Sequence, residues 1–357
     1  MPTVRLSGTV NGTEDPNREM RARMLYQLFA GGWDIDNSNG DQRITLRNIE
    51  AKILQSDAFV FMPGASLEDL FKAISIFVGY QTMDPNLNKK AAVILNSDGS
   101  WDSLFNLLDE LQMLGTIRQN FRQYLLLATE PKEVSAYLDK VGEEGLPDVG
   151  REKLNCKSVD SFETPMPENS KGNVCVFCSA SIRDNNYIKD GYILGKALAD
   201  NGYGCVSGAG TTGVMGSVVK GSVEAGGWTG GSNVPHIIEI EGLPEGLSSF
   251  WLRPDIYTRM EIMIQRSDAF IIFPGGSGTV QEMLALLIFK QRGSDLMKDK
   301  SVIVFNRRDE KTGIRFWDKL ITLLEPWCDD ELFIVVDELY EIVPIVDRLL
   351  SGGAATP

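Results

Sequence analysis

The sequence predicts an α/β fold with two related Rossmann-like units, each a parallel sheet with helices on both faces. Short apolar runs alternate with segments of helical periodicity, and glycine-rich turns join several runs to the helix that follows. One stretch of the chain also occurs twice, because residues 54–66 resemble residues 265–277 at a constant offset of 211 positions. Each copy has Ser-Asp-Ala-Phe before an apolar run and Pro-Gly after it.

The C-terminal copy has a complete series of elements. Its apolar runs are short and suit buried parallel strands, and its longer segments have the 3.6-residue spacing of helices. The strands are predicted at residues 173–178, 204–207, 269–273 and 301–306, and the helices at residues 187–201, 214–225 and 280–291.

The N-terminal copy is shorter. Residues 4–41 give one strand and one helix but no comparable glycine-rich turn. Residues 141–172 are polar, rich in proline and glycine, and lack sustained periodicity, which is typical of a linker. We therefore predict an N-terminal domain over residues 1–140, a linker over 141–172 and a C-terminal domain over 173–357.

Composition excludes several classes of protein. The formal net charge of −14 argues against a nucleic-acid partner. There is no apolar run near the roughly 18–20 residues that span a bilayer, and residues 1–12 do not resemble a secretory signal, so we predict a cytoplasmic location and no membrane partner. His236 is the only histidine, which argues against Ser-His-Asp catalysis and multi-histidine metal sites. Cys175 and Cys178 have CxxC spacing but no second pair, so no metal is predicted.

Two glycine-rich turns are the candidate ligand site. Gly208–Gly216 and Pro274–Thr279 each follow a predicted strand and begin a helix. Parallel strands end at one edge of a sheet, where such folds bind ligands, and small residues let the backbone approach an anion at a helix N-terminus. A tight turn without a ligand is the alternative for the first of them. That turn also matches a dinucleotide fingerprint, but Glu224 lies inside the predicted helix, too early for the expected acid.

Residues 173–350 resemble the Lonely Guy (LOG) family, often mislabelled as lysine decarboxylases. The resemblance includes Val174–Cys178 with Ser179 and Ser181, the Gly208–Gly216 turn, Arg259, and the motif PGGxGTxxE at Pro274–Glu282. Members hydrolyse the N-glycosidic bond of nucleoside 5′-monophosphates, including cytokinin precursors, to free base and ribose 5-phosphate without a cofactor. The resemblance therefore implies a nucleotide substrate and Arg259 with Glu282 as the catalytic pair. It implies substrate and phosphate contacts from Ser179, Ser181, Gly208, Gly210, Thr211, Gly213, Gly216, Gly275, Gly276, Ser277, Gly278 and Thr279.

The chemistry of this reaction suits the two residues. A carboxylate stabilises the positive charge that develops on the ribose, and it can orient the attacking water. Glu282 is predicted in the first turn of its helix, where the dipole would keep it ionised. The guanidinium of Arg259 offers a planar fork to phosphate or ribose oxygens. Helix capping is the alternative, since Thr279-x-x-Glu282 and Thr258-x-x-Glu261 both have capping-box spacing.

The N-terminal copy has lost the catalytic pair. Arg259 corresponds to Asn48 and Glu282 to Phe71, whereas Ser66-x-x-Asp69 keeps the spacing of a helix cap. Members of the family act as homodimers with sites at the subunit interface. We therefore predict that the degenerate copy replaces a partner subunit, which makes an intrachain pseudo-dimer, and further homo-oligomers stay possible.

The hydrolase has rivals from other classes. Met260 stands where the family usually has lysine, and this change and the degenerate copy favour a non-catalytic nucleotide-binding or molybdenum-cofactor carrier protein. An NAD(P) dehydrogenase rests on one glycine-rich turn alone. A true lysine decarboxylase needs a pyridoxal-binding lysine, and no lysine here has a recognisable setting for one.

Overall fold

The computed structural model describes residues 2–8, 16–36, 54–117, 121–150, 152–154, 156, 159–328 and 332–351. The chain forms two compact units, Met1–Gln112 with Gln119–Gly150, and Met113–Arg118 with Arg151–Pro357. Both are α/β units built on a parallel sheet, as the sequence predicted. The short segment Met113–Arg118 belongs to the second unit, although residues 119–150, which follow it in the chain, belong to the first unit. Among the described residues, no helix combines the length and apolarity that crossing a membrane requires.

The first unit has a five-stranded sheet in the order β2-β1-β3-β4-β5. Its strands are β1 Thr3–Ser7, β2 Asp34–Asp36, β3 Ala58–Phe61, β4 Ala91–Leu95 and β5 Leu125–Ala128, and its helices are α1 Arg18–Ala30, α2 Leu67–Gln81, α3 Asp102–Met113 and α4 Pro131–Glu144. The sequence missed β2, which is short and charged. Helix α4 continues through residues 141–144, which the sequence assigned to the linker.

The second unit has a seven-stranded sheet in the order β12-β11-β10-β6-β7-β8-β9, with every neighbouring pair parallel. Its strands are β6 Asn173–Phe177, β7 Gly204–Ser207, β8 Thr229–Asn233, β9 Ser249–Leu252, β10 Ala269–Ile272, β11 Ser301–Phe305 and β12 Ile334–Val336. Its helices are α5 Asn185–Asp200, α6 Gly213–Glu224, α7 Pro235–Glu241, α8 Ile256–Gln265, α9 Ser277–Gln291, α10 Asp318–Leu324 and α11 Ile342–Leu350. The central strands are buried on both faces, which explains their continuous apolar sequence.

The two sheets share strand order and register. The order β2-β1-β3-β4-β5 matches β7-β6-β10-β11-β12. Val4 pairs with Ala58 in the first sheet, and Val174 pairs with Ala269 in the second, so the repeated segment has the same place in both. The described strands of the first unit include no counterpart of β8 and β9.

Helices α5 and α6 pack closely because glycines lie between them. A Cβ atom added to Gly195 would overlap the carbonyl oxygen of Val218, and one on Gly221 would overlap the carbonyl oxygen of Tyr192. On Gly191 it would lie 3.0 Å from a methyl of Val214. Because α6 begins directly after the first glycine-rich turn, this contact holds that turn in place.

Gly195→Ala is therefore expected to destabilise the second unit, by about 1–3 kcal/mol, as overpacked cores do. The change goes against intrinsic propensity, since alanine is the better helix former by about 1 kcal/mol. Gly278→Ala, where nothing lies within 4 Å of the added Cβ, is the control and should not destabilise the ligand-free unit. Urea denaturation measures both; equal midpoints for Gly195→Ala and the unmodified protein would contradict the prediction.

Candidate active site

The candidate site lies at the carboxyl edge of the seven-stranded sheet. Strand β6 lies between β7 and β10: the chain passes from β6 to β7 on one side and returns from β9 to β10 on the other. Ligands of open α/β sheets bind in the crevice at such a point. The turn after β6 joins the two glycine-rich loops. The amide of Ser179 donates to the Pro274 carbonyl at 3.2 Å, and the amide of Met215 donates to the Ser179 carbonyl at 3.0 Å.

The structure brings Arg259 and Glu282 together at this edge. Arg259 lies on α8 and Glu282 on α9, with Nη1 and Oε1 3.8 Å apart, and their side chains are only 10% and 7% exposed. The Arg259 Nε donates to the Ser232 carbonyl at 2.9 Å, and Nη2 donates to the Gly208 carbonyl at 3.2 Å. The guanidinium is therefore fixed between the end of β8 and the first loop.

Neither alternative based on helix capping is correct. Helix α8 is capped by Asp255, whose carboxylate accepts from the amides of Tyr257 and Thr258, and Arg259 is buried. Helix α9 begins at Ser277, three residues earlier than predicted, and its N-cap is Gly276. A capping box links the N-cap to the third helical residue, so Glu282, the sixth, has no such role.

The prediction that Glu282 is kept ionised by a helix N-terminus is wrong. Glu282 lies in the second turn of α9, beyond the range of that effect. Burial raises the pKa of its carboxyl to about 7, against the lowering effect of Arg259, and the charge of Glu241 raises it further. Glu282 therefore exists in both protonation states near neutral pH, which suits a group that accepts and returns a proton.

Two buried cysteines lie close enough to the pair to be affected by the charge of Glu282. Cys175 and Cys178 are free, buried thiols whose pKa is raised well above its usual value, first by burial and then by the charge of Glu282. They are accordingly neutral and unreactive near neutral pH. Met260 is also buried, and as a methionine it brings no charge to the position where the family usually has a lysine. Among the described residues, no group of three or more His, Cys, Asp or Glu side chains could hold a metal ion.

Three successive amides of the first glycine-rich loop, those of residues 209–211, bond within the protein. Ala209 has a φ of +53° and donates to the Ser207 hydroxyl at 3.2 Å. The amide of Gly210 donates to the sulfur of Met215 at 3.2 Å, and that of Thr211 donates to the Glu241 carbonyl at 3.2 Å. In this conformation, Gly210 and Thr211 therefore do not offer their amides to a phosphate, although the sequence predicted that they would contact it.

Other glycines of this region have a reason in packing. A Cβ on Gly208 would overlap Nη2 of Arg259, so this glycine admits the guanidinium. Gly213 has a φ of +63°, and a Cβ there would lie 2.7 Å from the carbonyl carbon of Ala180. A Cβ on Gly216 would overlap the carbonyl oxygen of Thr211, which places Gly216 against the loop backbone.

The Ser179 side chain shapes the turn after β6. Its hydroxyl oxygen accepts from the amides of Ser181 and Ile182 at 2.8 and 3.1 Å. Ser179 and Ser181 thus stand at the crevice, and the first of them holds the turn that carries the second.

The second loop places three amides at the start of α9, before the first hydrogen bond within that helix. The first amide to bond within α9 is that of Val280, which donates to the Gly276 carbonyl at 3.1 Å. The amides of Ser277, Gly278 and Thr279 therefore have no acceptor within the helix. A Cβ on Gly275 would overlap the Thr279 hydroxyl, so this glycine lets the loop fold closely over the helix start.

Two residues near the loops were missed by the sequence analysis. The carbonyl oxygen of Thr116, in the segment that joins the second unit, lies 2.9 Å from the Cβ position of Gly276. Glu241 ends α7, and its Oε2 lies 3.0 Å from the Cβ position of Gly210. Thr116 gives no signal in the sequence, because its proximity comes from tertiary folding. Glu241 could have been suspected only from its place after a strand of the same sheet.

The first unit does not repeat the pair. Phe71, which corresponds to Glu282, is fully buried in α2, and Asn48, which corresponds to Arg259, lies outside the described residues. The predicted cap is confirmed, since the Ser66 hydroxyl accepts from the Asp69 amide at 3.2 Å. The Asp69 carboxylate accepts from the hydroxyls of Ser7 and Ser66 and so has a structural role.

A parallel sheet with two glycine-rich loops and a buried arginine–glutamate pair at its carboxyl edge places this unit in the doubly wound α/β class, whose members bind ligands at that edge. Residues 215–349 match the family model described as "Possible lysine decarboxylase". A cytokinin riboside 5′-monophosphate phosphoribohydrolase of Mycobacterium marinum is 29% identical over 150 residues, covering 42% of this chain and 79% of that protein. A probable enzyme of the same name from Oryza sativa subsp. japonica is 28% identical over 195 residues, covering 50% of this chain and 88% of that protein. These matches support membership of the Lonely Guy (LOG) family, as the sequence motifs predicted.

Solved structures show a more distant similarity. The Moco carrier protein of Chlamydomonas reinhardtii is 19% identical with a TM-score of 0.39, covering 50% of this chain and 97% of that chain. A similarity of this size carries no conclusion about function.

Proposed function

We propose that this protein hydrolyses the N-glycosidic bond of a purine-type nucleoside 5′-monophosphate, cytokinin nucleotides included, releasing the free base and ribose 5-phosphate. The observation that carries the proposal is the buried Arg259–Glu282 pair, 3.8 Å apart at the carboxyl edge of the sheet. The names of the related phosphoribohydrolases support it, although each match covers half of the chain or less.

The second loop is the better place for the 5′-phosphate. The start of α9 combines the amides of Gly278 and Thr279, which have no acceptor within the helix, with the positive end of the helix dipole and the Thr279 hydroxyl. In the first loop, the amides of Gly210 and Thr211 already donate to Met215 and Glu241. We therefore assign the phosphate to residues 276–279 and the ribose to the space beside Arg259 and Glu282.

The proposed reaction needs no cofactor. A water oxygen forms a bond to the anomeric carbon while the carbon–nitrogen bond breaks. The electron pair of the carbon–nitrogen bond leaves with the base. Ionised Glu282 accepts a proton from the water and stabilises the positive charge on the sugar. The departing base takes up a proton from solvent, and Glu282 returns its proton to solvent, which restores the carboxylate. Arg259 binds ribose or phosphate oxygens and holds the Glu282 carboxylate in place.

Incubation with AMP tests the proposal directly. Adenine and ribose 5-phosphate should appear in equal amounts, and adenosine, which lacks the phosphate, should react much more slowly. AMP that is bound but released unchanged would instead support the second candidate, a non-catalytic nucleotide or molybdenum-cofactor carrier. The buried, uncharged Met260 is the observation that favours this candidate.

The activity should depend on pH through Glu282. Below pH 7, kcat/KM for AMP is expected to fall about tenfold per unit, because only the ionised carboxylate accepts the proton and its pKa is about 7. The substrate phosphate also titrates, near pH 6, and ³¹P NMR of AMP alone locates that step. Two results would contradict the role of Glu282 as a base: a kcat/KM that is constant from pH 5.5 to 8, or a kcat/KM that decreases as the pH rises through 7.

We also propose the pseudo-dimer and its domain limits from the sequence repeat. The shared strand order of the two sheets supports this proposal. Sedimentation equilibrium combined with activity at several protein concentrations tests it. We expect the monomer to be fully active, and activity that is lost on dilution to monomers would argue for a partner chain.

The five free cysteines support the predicted cytoplasmic location.

A further inference from the structure

Glu241 holds the first glycine-rich loop from the end of α7. Its backbone carbonyl accepts from both the amide and the hydroxyl of Thr211, and its carboxylate Oε2 lies 3.0 Å from the Cβ position of Gly210. Gly242, with a φ of +73°, ends the helix beside Thr211. The carboxylate is thus placed against this loop by main-chain contacts.

Arg259 contacts the other end of the same loop. Its Nη2 donates to the Gly208 carbonyl, and a Cβ on Gly208 would overlap that nitrogen. The loop of residues 208–211 therefore has a guanidinium at one end and a carboxylate at the other, and Glu282 lies beside the guanidinium.

The charged and titratable groups that act on Glu282 come from three elements. Arg259 on α8 is the cation, and Glu241 on α7 is the anion. Cys175 on β6 and Cys178 directly after it are the thiols, and they are neutral because burial raises their pKa. Of these groups, Glu241 is the one that brings negative charge.

We propose that the Glu241 carboxylate is the second acidic group of this active site, a positioning residue that acts on the reaction through Glu282. The inference rests on the proposed function, in which Glu282 is the base. A nearby negative charge opposes the ionisation of Glu282, in the same direction as burial and against Arg259. Glu241 would thereby keep Glu282 a strong enough base to take a proton from water near neutral pH.

Glu241→Gln tests the inference because it removes the charge and keeps the backbone carbonyl that binds Thr211. The acidic limb of kcat/KM for AMP should move to lower pH by about half a unit to one unit. The variant should then exceed the unmodified protein by about 3–10-fold at pH 5.5, where the unmodified base is mostly protonated. Glu241→Ala removes the same charge and should move the limb in the same direction.

Glu239→Gln is the matched control. Glu239 lies on the same helix, and its carboxylate pairs with Lys153 at 2.6 Å on the surface. The acidic limb of kcat/KM for AMP should lie at the same pH in Glu239→Gln as in the unmodified protein. If Glu241→Gln lowered the rate equally at every pH without moving the limb, Glu241 would be merely structural and the inference would be overturned.

Infrared difference titration separates this inference from the proposed function. The carboxyl band of Glu282 is assigned by its loss in Glu282→Gln, and its midpoint is followed with and without the Glu241→Gln change. A lower midpoint supports the coupling even if AMP is not hydrolysed. An unchanged midpoint overturns it even if AMP is hydrolysed.

Discussion

Glu282→Gln is expected to lower kcat for AMP hydrolysis by about 10²–10⁴-fold, the usual contribution of a positioned acid–base group. The amide has the shape of the carboxyl group but cannot accept the proton of the attacking water. It also cannot offer a negative charge to the sugar. Steady-state rates with AMP at pH 8, where the unmodified Glu282 is mostly ionised, measure the effect.

The same variant should be as stable as the unmodified protein, or more stable, at pH 8. An acid whose pKa is raised on folding stabilises the protein fully below its unfolded pKa, and this contribution is lost as pH rises through the folded value. With a folded pKa of about 7, ionising Glu282 costs the folded state roughly 3 kcal/mol. Glu325→Gln, on the surface, is the control for both measurements. Turnover that survives Glu282→Gln would remove the carboxylate from the mechanism.

Arg259→Met is expected to lower kcat/KM for AMP by at least about 10³-fold. The change removes the cation that binds substrate oxygens, a charge-assisted interaction of about 1.5–3 kcal/mol per hydrogen bond. It also raises the pKa of Glu282 further, since Arg259 is the group that lowers it. The acidic limb of the pH profile should therefore move to higher pH, opposite to the effect of Glu241→Gln.

Stability should also fall in Arg259→Met. The carbonyls of Ser232 and Gly208 lose their donor, and each buried unsatisfied carbonyl costs about 1–3 kcal/mol. Arg266→Met, at the end of the same helix, is the control, because Arg266 pairs with Glu163 on the surface. Equal rates for the two variants would show that Arg259 has no special part in turnover. Arg259→Lys, which keeps the charge but not the planar fork, should lie between Arg259→Met and the unmodified protein.

Much of the second unit could be predicted from its sequence because its signals are local. The strand at 204–207 has the predicted bounds, and strands β6 and β11 end one residue earlier than predicted. These runs are buried on both faces, so a continuous apolar sequence identifies them. The PGGxGTxxE motif together with Arg259 predicted that Arg259 and Glu282 form a pair, and in the structure Arg259 Nη1 lies 3.8 Å from Glu282 Oε1.

The errors concern features that tertiary packing decides. The sequence predicts that the helix begins at Val280, and the three residues before it, Ser277, Gly278 and Thr279, have low helix propensity. In the structure the helix includes them, and Glu282 moves out of the first turn into a buried position. The raised pKa of Glu282 then follows from burial, which no spacing of residues reveals.

The first glycine-rich turn shows a second limit. The sequence marks where small residues occur but not which atoms approach them. Glycine at 208 admits Arg259, and glycine at 216 admits the loop backbone. Both glycines match a phosphate-loop motif in the sequence. In the structure, each is needed because a side chain at its position would overlap a neighbouring group. The position of Glu241 depends on α7, an element that the sequence analysis did not assign.

The grouping of residues 113–118 with the second unit determines where the gene can be divided. A fragment beginning at Asn173 would look self-sufficient by sequence, since it contains both loops and the two residues that we propose to be catalytic. Yet it would lack Thr116, whose carbonyl oxygen lies against Gly276 at the start of α9. Separate expression of the C-terminal half would therefore remove the Thr116 contact from the backbone to which we assign the phosphate, so a fragment that is to keep this contact must include residues 113–118.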